Sequence, residues 1–232
     1  MELFMGAFLG LIASILVTIW AENLRRPRLR LICEDTLDVS LSSILGGSPP
    51  LHYRAIRVRA SNIELPRLFG WIVRAPALQC RGTITFHRFA DGQNLFGNAM
   101  TARWANGPQP NSFPVSNVAI GKVEFVIHDP ERLSGGSAID IYPGDSEPLD
   151  IVARFDNDQD CYGWNNETYF LQPPAQPGRN PKWRLGNERF LVRITIRSSG
   201  QKCEDVFQLI NDVPVSAFRL EKASKADHAK VG

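Results

Sequence analysis

The stretch from Phe190 to Leu209, FLVRITIRSSGQKCEDVFQL, decides the fold of this chain. From Phe190 to Ile196 every even-numbered residue is apolar, and Arg193 and Thr195 occur between them. Since successive side chains of a strand point to opposite faces, this alternation predicts a half-buried strand. Ser199-Gly200 is a turn sequence, and a second alternating run follows at 203–209. The stretch therefore predicts a β-hairpin.

Alternation with a period of two recurs along the rest of the chain, where long helical periodicity is nearly absent. The further predicted strands are 28–33, 52–60, 83–89, 122–127, 138–142 and 149–155. Turn residues separate them, as at Gly144-Asp145 and Gly186-Asn187. Short strands divided by turns are typical of an all-β sandwich. We assign the sandwich to residues 31–220 and expect a flexible, charged tail at 221–232.

A different pattern begins the chain. Leu3 to Trp20 is an apolar run without a charged side chain. About 18 apolar residues are enough to cross the hydrocarbon core of a bilayer as a helix, so residues 1–24 are predicted to be a transmembrane helix. A basic juxtamembrane linker, residues 25–30, follows this helix and is predicted to contact membrane lipid. Its basic residues are Arg25, Arg26, Arg28 and Arg30.

The position of the arginines predicts the orientation in the membrane. By the positive-inside rule, the arginine side of a membrane helix stays in the cytoplasm. The sequence therefore predicts a single-pass protein of the inner (cytoplasmic) membrane, with its N-terminus outside and its C-terminal domain cytoplasmic. A cleaved signal peptide fits less well, because Met1-Glu2 offers no basic side chain and no A-x-A pattern follows Trp20. A buried core helix is the other alternative.

Small residues recur at every fourth position of the predicted membrane helix. They are Gly6, Gly10, Ser14 and Thr18. A period of 3.6 residues places them on one stripe of the helix, where small side chains allow two backbones to approach closely. The stripe predicts self-association or packing against another membrane protein, although glycine is common in membrane helices in general.

One short helix is predicted in the sandwich region, from Pro66 to Val73, since proline suits a first helical turn. Two interpretations of this segment remain open. Its apolar side chains can pack under the sandwich as an end cap. Alternatively, Leu68, Phe69, Trp71 and Ile72, flanked by Arg67 and Arg74, can rest on the inner leaflet of the membrane.

Four short motifs occur along the chain. They are the junction Arg26-Pro27-Arg28-Leu29, the run Ile56-x-Val58-x-x-x-Asn62, the pair Ala77-x-x-Cys80 with Thr83-Ile84-Thr85-Phe86, and Tyr142-Pro143-Gly144-Asp145 before Leu149-Asp150-Ile151. Together they resemble uncharacterised prokaryotic proteins with one N-terminal transmembrane helix and an immunoglobulin-like sandwich. The resemblance implies an all-β, immunoglobulin-like β-sandwich preceded by one transmembrane α-helix. It implies no activity.

The cysteines give little sign of chemistry. Cys33, Cys80, Cys161 and Cys203 are widely scattered and form no C-x-x-C pair. In a cytoplasmic domain we expect them to be reduced and buried.

Composition and motifs argue against several classes of function. The net charge of +2 gives no broad basic face, so no nucleic-acid partner is predicted. The chain has no P-loop, G-x-S-x-G, H-E-x-x-H or dinucleotide-binding motif. Its histidines are few, and His128-Asp129 reads as the end of a strand rather than as a catalytic pair. We therefore predict no enzyme, no catalytic residue and no cofactor.

An acidic run has part of the spacing of a metal site. Asp156, Asp158 and Asp160 stand at positions one, three and five of a twelve-residue segment that ends at Glu167. This is the oxygen-ligand spacing of a calcium loop. Cys161, however, stands where the loop needs glycine for its sharp turn, and strands rather than helices flank it. The four acids are therefore only weak metal candidates, and no metal is predicted.

The expected function is a membrane-anchored, non-enzymatic scaffold or accessory subunit that presents its cytoplasmic sandwich to a protein partner. The alternative is a ligand-triggered, membrane-disrupting effector of a bacterial defence or toxin system. In that case assembly of the sandwiches gathers the helices, and a polar stripe such as Ser14 and Thr18 lines a pore.

Overall fold

The computed structural model describes residues 2–34, 36–41, 51–107, 112–116, 124–128, 137–170 and 178–232. Within these ranges, the side chains of residues 2–9, 41, 51, 112–116, 124–128 and 170 lie outside the description. Among the residues described in this way, no helix combines the length and the hydrophobicity needed to cross a membrane. The membrane anchor stays a prediction from the sequence.

Strands account for most of the regular structure. In chain order they are β1 (Leu29–Cys33), β2 (Leu37–Leu41), β3 (Leu51–Asn62), β4 (Ala77–Arg88), β5 (Met100–Thr101), β6 (Arg103–Trp104), β7 (Ser112–Ser116), β8 (Glu124–His128), β9 (Ile139–Ile141), β10 (Ser146–Phe155), β11 (Cys161–Gly163), β12 (Arg184–Leu185), β13 (Arg189–Ser198), β14 (Gln201–Ile210) and β15 (Arg219–Lys222). The α-helices are α1 (Glu2–Arg25), α2 (Asn166–Phe170) and α3 (Lys225–Val231). Short 3-10 helices occur at Arg67–Phe69, Pro181–Trp183 and Val215–Ala217.

Two antiparallel sheets form the sandwich. The first runs in the order β1-β3-β10-β11-β12, with β2 also paired to β3 and β6 to β10. The second runs in the order β15-β14-β13-β4-β5, with β9 also paired to β4. The strands β7 and β8 form a separate two-stranded sheet. The prediction of an all-β sandwich is confirmed.

The predicted hairpin lies at the centre of the second sheet. β13 pairs with β14 across the turn at Ser199-Gly200, and its other edge pairs with β4. Gly200 has a φ of +84°, a conformation that glycine adopts without steric cost. The apolar face of β13 is buried, as the alternation predicts, because it packs into the core between the two sheets.

One core fills the space between the sheets. The first sheet contributes Ile56, Val58, Leu149 and Val152, and the second contributes Ile84, Phe86, Val192, Ile194, Phe207 and Leu209. The sheets approach closely at Gly82, where a Cβ atom would lie 2.9 Å from Ala102 Cβ and 3.1 Å from Leu149 Cδ1. Glycine therefore permits the sheet separation at this point.

The outer face of the first sheet carries a second, aromatic cluster. Its buried members are Tyr53, Ala55, Ala153, Phe155, Tyr162 and Trp164. Beside the cluster, Asp150 lies between two arginines. Arg57 Nε donates to Asp150 Oδ1 at 2.6 Å, and Arg103 Nη1 donates to Asp150 Oδ2. Asp150 and Arg103 are both buried, so this is an ion pair of the interior.

The C-terminal residues differ from the expected flexible tail. Residues 219–222 form β15 on the edge of the second sheet, and α3 follows with a capping box between Ser224 and Asp227. Val231 of α3 packs with Leu191 and Val206 on the outer face of that sheet. The flexible tail was predicted from the charged composition of this segment. The contact of Val231 depends instead on the position of the sheet.

Candidate functional site

The end of the sandwich from which α1 emerges is the most distinctive surface of the molecule. β1 begins there at Leu29, which pairs with Asn62 at the end of β3, and β10 begins opposite at Ser146. The turn between β13 and β14 lies at this end as well. We call this surface the helix-side end. The connection from Ile63 to Pro76, which joins β3 to β4, crosses it.

Asn62 ties the segments of the helix-side end together. Its side-chain Oδ1 accepts a hydrogen bond from Arg28 N at 3.1 Å, and its Nδ2 donates to Ala75 O and to Ile141 O, each at 3.1 Å. The backbone of Asn62 bonds to the turn at Gly144-Asp145. The side chain is 1% exposed, and three of its four hydrogen-bonding positions are used.

The end of α1 is fastened to the same connection. Ala75 N donates to Arg25 O at 2.6 Å, and Arg74 Nη1 donates to Arg26 O at 2.8 Å. These contacts satisfy carbonyl groups that a helix C-terminus leaves without an intrahelical partner. Arg74 is buried, and burial lowers the pKa of its guanidinium. The Trp20 ring lies edge-on to the Phe69 ring, with the ring centroids 5.8 Å apart.

The predicted linker 25–30 is therefore short and held by contacts. The helix extends to Arg25 and β1 starts at Leu29, so only residues 26–28 connect them. The Arg28 amide donates a hydrogen bond to the Asn62 side chain, and the Arg28 carbonyl accepts one from Ile63 N. The side chains of the predicted membrane-surface arginines are exposed at Arg25, Arg26, Arg28 and Arg30.

Large apolar side chains are exposed on the same end. Leu68 is 85% exposed, Trp71 is 72% exposed and Val73 is 77% exposed. These three residues are called the apolar patch below. Ile72, between them, is only 4% exposed and holds the connection against the domain. The patch differs from the end cap considered for this segment, because a cap would bury the residues that are exposed here.

Further exposed apolar residues occur on other segments of the helix-side end. Ile63 is 42% exposed, Leu78 is 40% exposed and Tyr142 is 56% exposed. All three belong to segments at the helix-side end. Isolated exposed apolar side chains are normal on a protein surface, whereas a concentration of them marks an interaction site.

The small-residue stripe lies on an open side of α1. Gly6 lies in the helix, and a Cβ atom at Gly10 would have nothing within 4 Å. Ser14 and Thr18 are exposed, and Thr18 Oγ1 donates to Ser14 O at 2.9 Å within the helix. The backbone is therefore accessible at the described part of the stripe.

The acidic candidates do not converge. Asp158 accepts from Arg179 at 2.6 Å, Asp160 accepts from Arg184 at 2.6 Å, and Glu167 lies 3.4 Å from Lys182 Nζ. Asp156 is exposed at the start of the turn after β10. Over the described ranges, no three metal-ligating side chains form a group. Asp158, Asp160 and Glu167 instead form ion pairs with basic residues of the following segment.

The histidines lie apart from one another. His87 is buried, and its Nδ1 donates to Gly92 O at 2.9 Å while Nε2 contacts Thr85 Oγ1 at 2.9 Å. Burial lowers the pKa of His87. His228 Nε2 lies 3.4 Å from Asp205 Oδ1. The His128 side chain and Asp129 lie outside the described residues.

An open groove of about 250 Å³ lies at the opposite end of the sandwich. Ser40 Oγ and His52 Nδ1 are 2.7 Å apart on its wall, and Arg54 forms a bidentate pair with Asp38 beside them. His52 and Ser40 are both exposed. In the part of the chain that the structure describes, no third side chain bonds to His52, and such an orienting group belongs to an activated serine–histidine pair.

All four cysteines are free thiols in the structure. Cys80 and Cys161 are buried, and burial raises the pKa of Cys80 to about 11 and raises the pKa of Cys161 as well. A thiol with a raised pKa is a poor nucleophile at neutral pH.

Comparison of the chain with family models, with curated proteins and with solved structures gives no match in any of the three.

Proposed function

We propose that this protein is a single-pass protein of the inner (cytoplasmic) membrane. Its sandwich stands on the cytoplasmic side and serves, without catalysis, as a scaffold or accessory subunit for a protein partner. The observation that carries the proposal is the apolar surface of α1, which is exposed along residues 11–20. The acyl chains of a bilayer would bury this apolar surface.

The exposed side chains of α1 support this proposal. Leu11, Ile12, Ile15, Leu16, Val17, Ile19 and Trp20 are each between 39% and 61% exposed. A helix of 24 residues is about 36 Å long at 1.5 Å per residue, which is comparable with the thickness of a bilayer. An amphipathic surface helix would instead bury one stripe against the domain and expose polar residues on the other.

The joint between helix and sandwich also supports a positioning role. Because Ala75 bonds the last residue of α1, and Arg74 and Asn62 bond Arg26 and Arg28 directly after it, the domain cannot swing on a long tether. A scaffold benefits from such a joint, since it holds the sandwich at a fixed height above the membrane surface. The immunoglobulin-like form of the sandwich belongs to the same proposal.

The proposed orientation can be tested by protease protection. Protease added to intact spheroplasts should leave the sandwich uncut, and protease added after lysis should digest it. A variant in which Arg25, Arg26 and Arg28 are all replaced by glutamine loses the orientation signal. It should yield a mixture of molecules in the two membrane orientations. Digestion of the wild-type sandwich in intact spheroplasts would place it outside the cytoplasm and contradict the proposal.

The role of the stripe can be tested by crosslinking in bilayers. We expect Gly6→Ile together with Gly10→Ile to abolish association, because bulky side chains separate the two backbones. Ile12→Phe together with Ile19→Phe is the control, since these changes add bulk on the face of the helix opposite the stripe. If the stripe variant crosslinks like the wild type, association does not use these residues. Proteins that co-purify with this chain in mild detergent in stoichiometric amount would identify it as an accessory subunit.

A further inference from the structure

We propose that the apolar patch, Leu68, Trp71 and Val73, is a second membrane contact that inserts into the headgroup region of an anionic bilayer. It would fix the orientation of the sandwich on the membrane surface. The inference rests on the proposed membrane anchor and extends it from the helix to the domain.

The position of the patch relative to α1 is the first argument. Phe69 lies inside the patch segment and contacts Trp20, the last residue of the uncharged run. Trp20 lies about 7 Å before Arg25 along the helix axis, at about 1.5 Å per residue. A helix that crosses the bilayer would place Trp20 at the interface, where tryptophan is enriched. The patch then lies at the same depth.

The conformation of the segment is the second argument. The 3-10 turn at Arg67–Phe69 buries none of its own residues. Ile72 and Arg74 face the protein at 4% and 6% exposure, whereas Trp71 and Val73 beside them face away. The segment is therefore held to the domain by alternate residues, and the side chains of Leu68, Trp71 and Val73 stay largely exposed.

The charges around the patch favour an anionic lipid surface as the occupant. Arg67 is exposed within the segment, and Arg26 and Arg28 are exposed at the neighbouring end of α1. Each basic residue near an anionic leaflet is attracted to it. Glu22 is already paired with Arg25 at 3.3 Å, and Glu64 is the acidic residue closest in sequence to the patch. Apolar and aromatic side chains beside arginines are the composition of an interfacial membrane segment.

The native tryptophans provide the experiment. Trp20 and Trp71 are 47% and 72% exposed, while Trp104, Trp164 and Trp183 are at most 3% exposed. The full-length protein is reconstituted in vesicles of phosphatidylcholine and phosphatidylglycerol that carry bromine on upper acyl carbons. The emission of Trp71→Phe is subtracted from that of the wild type to isolate Trp71, and Trp20→Phe isolates Trp20 in the same way.

We expect brominated lipid to reduce the emission of both isolated tryptophans by about twofold or more, because both lie at the interface. Quenching of Trp20 without quenching of Trp71 would overturn the patch inference and leave the membrane anchor intact. If neither is quenched, the proposed anchor itself fails. A Trp71 that neither brominated lipid nor aqueous acrylamide quenches is covered by protein, which also contradicts lipid contact.

Two further measurements test the lipid specificity. Omitting phosphatidylglycerol should weaken the quenching of Trp71 but not that of Trp20, because only the patch depends on the arginine–headgroup attraction. Leu68→Ser together with Val73→Ser should likewise reduce the quenching of Trp71 alone. Both side chains are largely exposed, so these changes leave the fold intact. Equal quenching of Trp71 in every case would contradict an inserted patch.

Discussion

The indole ring of Trp20 and the phenyl ring of Phe69 meet edge to face, with their centroids 5.8 Å apart. Trp20 belongs to α1 and Phe69 to the connection between β3 and β4, so this contact joins the helix to the sandwich. At the helix-side end, α1 and the sandwich are therefore held together by side-chain packing as well as by hydrogen bonds.

Asn62→Ala should destabilise the domain by about 1–3 kcal/mol, because it removes three hydrogen bonds, one of them to the buried Ile141 carbonyl and two to partly buried groups at Arg28 and Ala75. Urea unfolding monitored by circular dichroism measures the change. Asn106→Ala is the control, since Asn106 is exposed and, among the described residues, its side chain makes an exposed hydrogen bond to the Glu147 carboxylate rather than a bond to a buried group. Equal stability of the two variants would show that the Asn62 network contributes nothing.

Gly82→Ala should cost about 1–3 kcal/mol, because its Cβ would lie too close to Ala102 and Leu149 across the sandwich. Thermal unfolding of the variant and of Gly186→Ala gives the comparison. A Cβ at Gly186 meets nothing within 4 Å, so that control should unfold close to the wild-type temperature. A neutral Gly82→Ala would mean that the sheets separate freely at this point.

Asp150→Ala should cost about 3 kcal/mol, because the buried carboxylate bonds both Arg57 and Arg103, and the buried Arg103 would lose this contact. Asp38→Ala provides the matched control. The Asp38 side chain is 70% exposed in its pair with Arg54, and such surface pairs contribute at most about 1 kcal/mol. Denaturant midpoints that shift equally in both variants would contradict the importance of burial.

His87 should make stability depend on pH. Burial lowers its pKa in the folded protein below the ordinary value of 6.5, so the unfolded chain binds the proton first. The contribution to stability is therefore complete above about pH 6.5 and is lost as the pH falls through the folded pKa. Melting temperatures measured between neutral and mildly acidic pH should fall less in His87→Gln than in the wild type. His52→Gln, at an exposed histidine, should follow the wild-type profile.

Ser224→Ala should destabilise α3 by about 1 kcal/mol, because Ser224 Oγ accepts a hydrogen bond from the Asp227 amide in the capping box. Hydrogen exchange of residues 225–231 should accelerate while the β13 and β14 amides keep their protection. Ser199→Ala, in the turn between those strands, is the control. If Ser224→Ala leaves exchange in α3 unchanged, the cap does not hold this helix.

Much of the sandwich could be predicted from local patterns. The alternation at 190–197 predicts both β13 and its buried face, because side-chain direction in a strand has a fixed period. The alternation at 52–60 and 149–155 likewise predicts the centres of β3 and β10. The ends of the strands were predicted less accurately. Pairing extends β4 back to Ala77, whereas the predicted strand starts at residue 83.

The helix-side end was only partly predictable. The apolar run and the arginines are properties of adjacent residues and are visible in the sequence. The role of Asn62 is not, because its partners at Arg28, Ala75 and Ile141 are distant along the chain. The sequence also left the segment from Pro66 to Val73 open between an end cap and an exposed surface. Only packing selects the exposed state of Leu68 and Trp71.

By itself, the amino-acid order determined that this chain forms short alternating strands and an uncharged apolar segment followed by arginines. Those features are local, since a strand's period and a run's hydrophobicity need no partner to be recognised. Tertiary structure alone decided that Asn62 joins the helix exit to the sandwich and that α3 covers Leu191. Burial and hydrogen bonding between residues far apart in sequence exist only once the sheets have assembled.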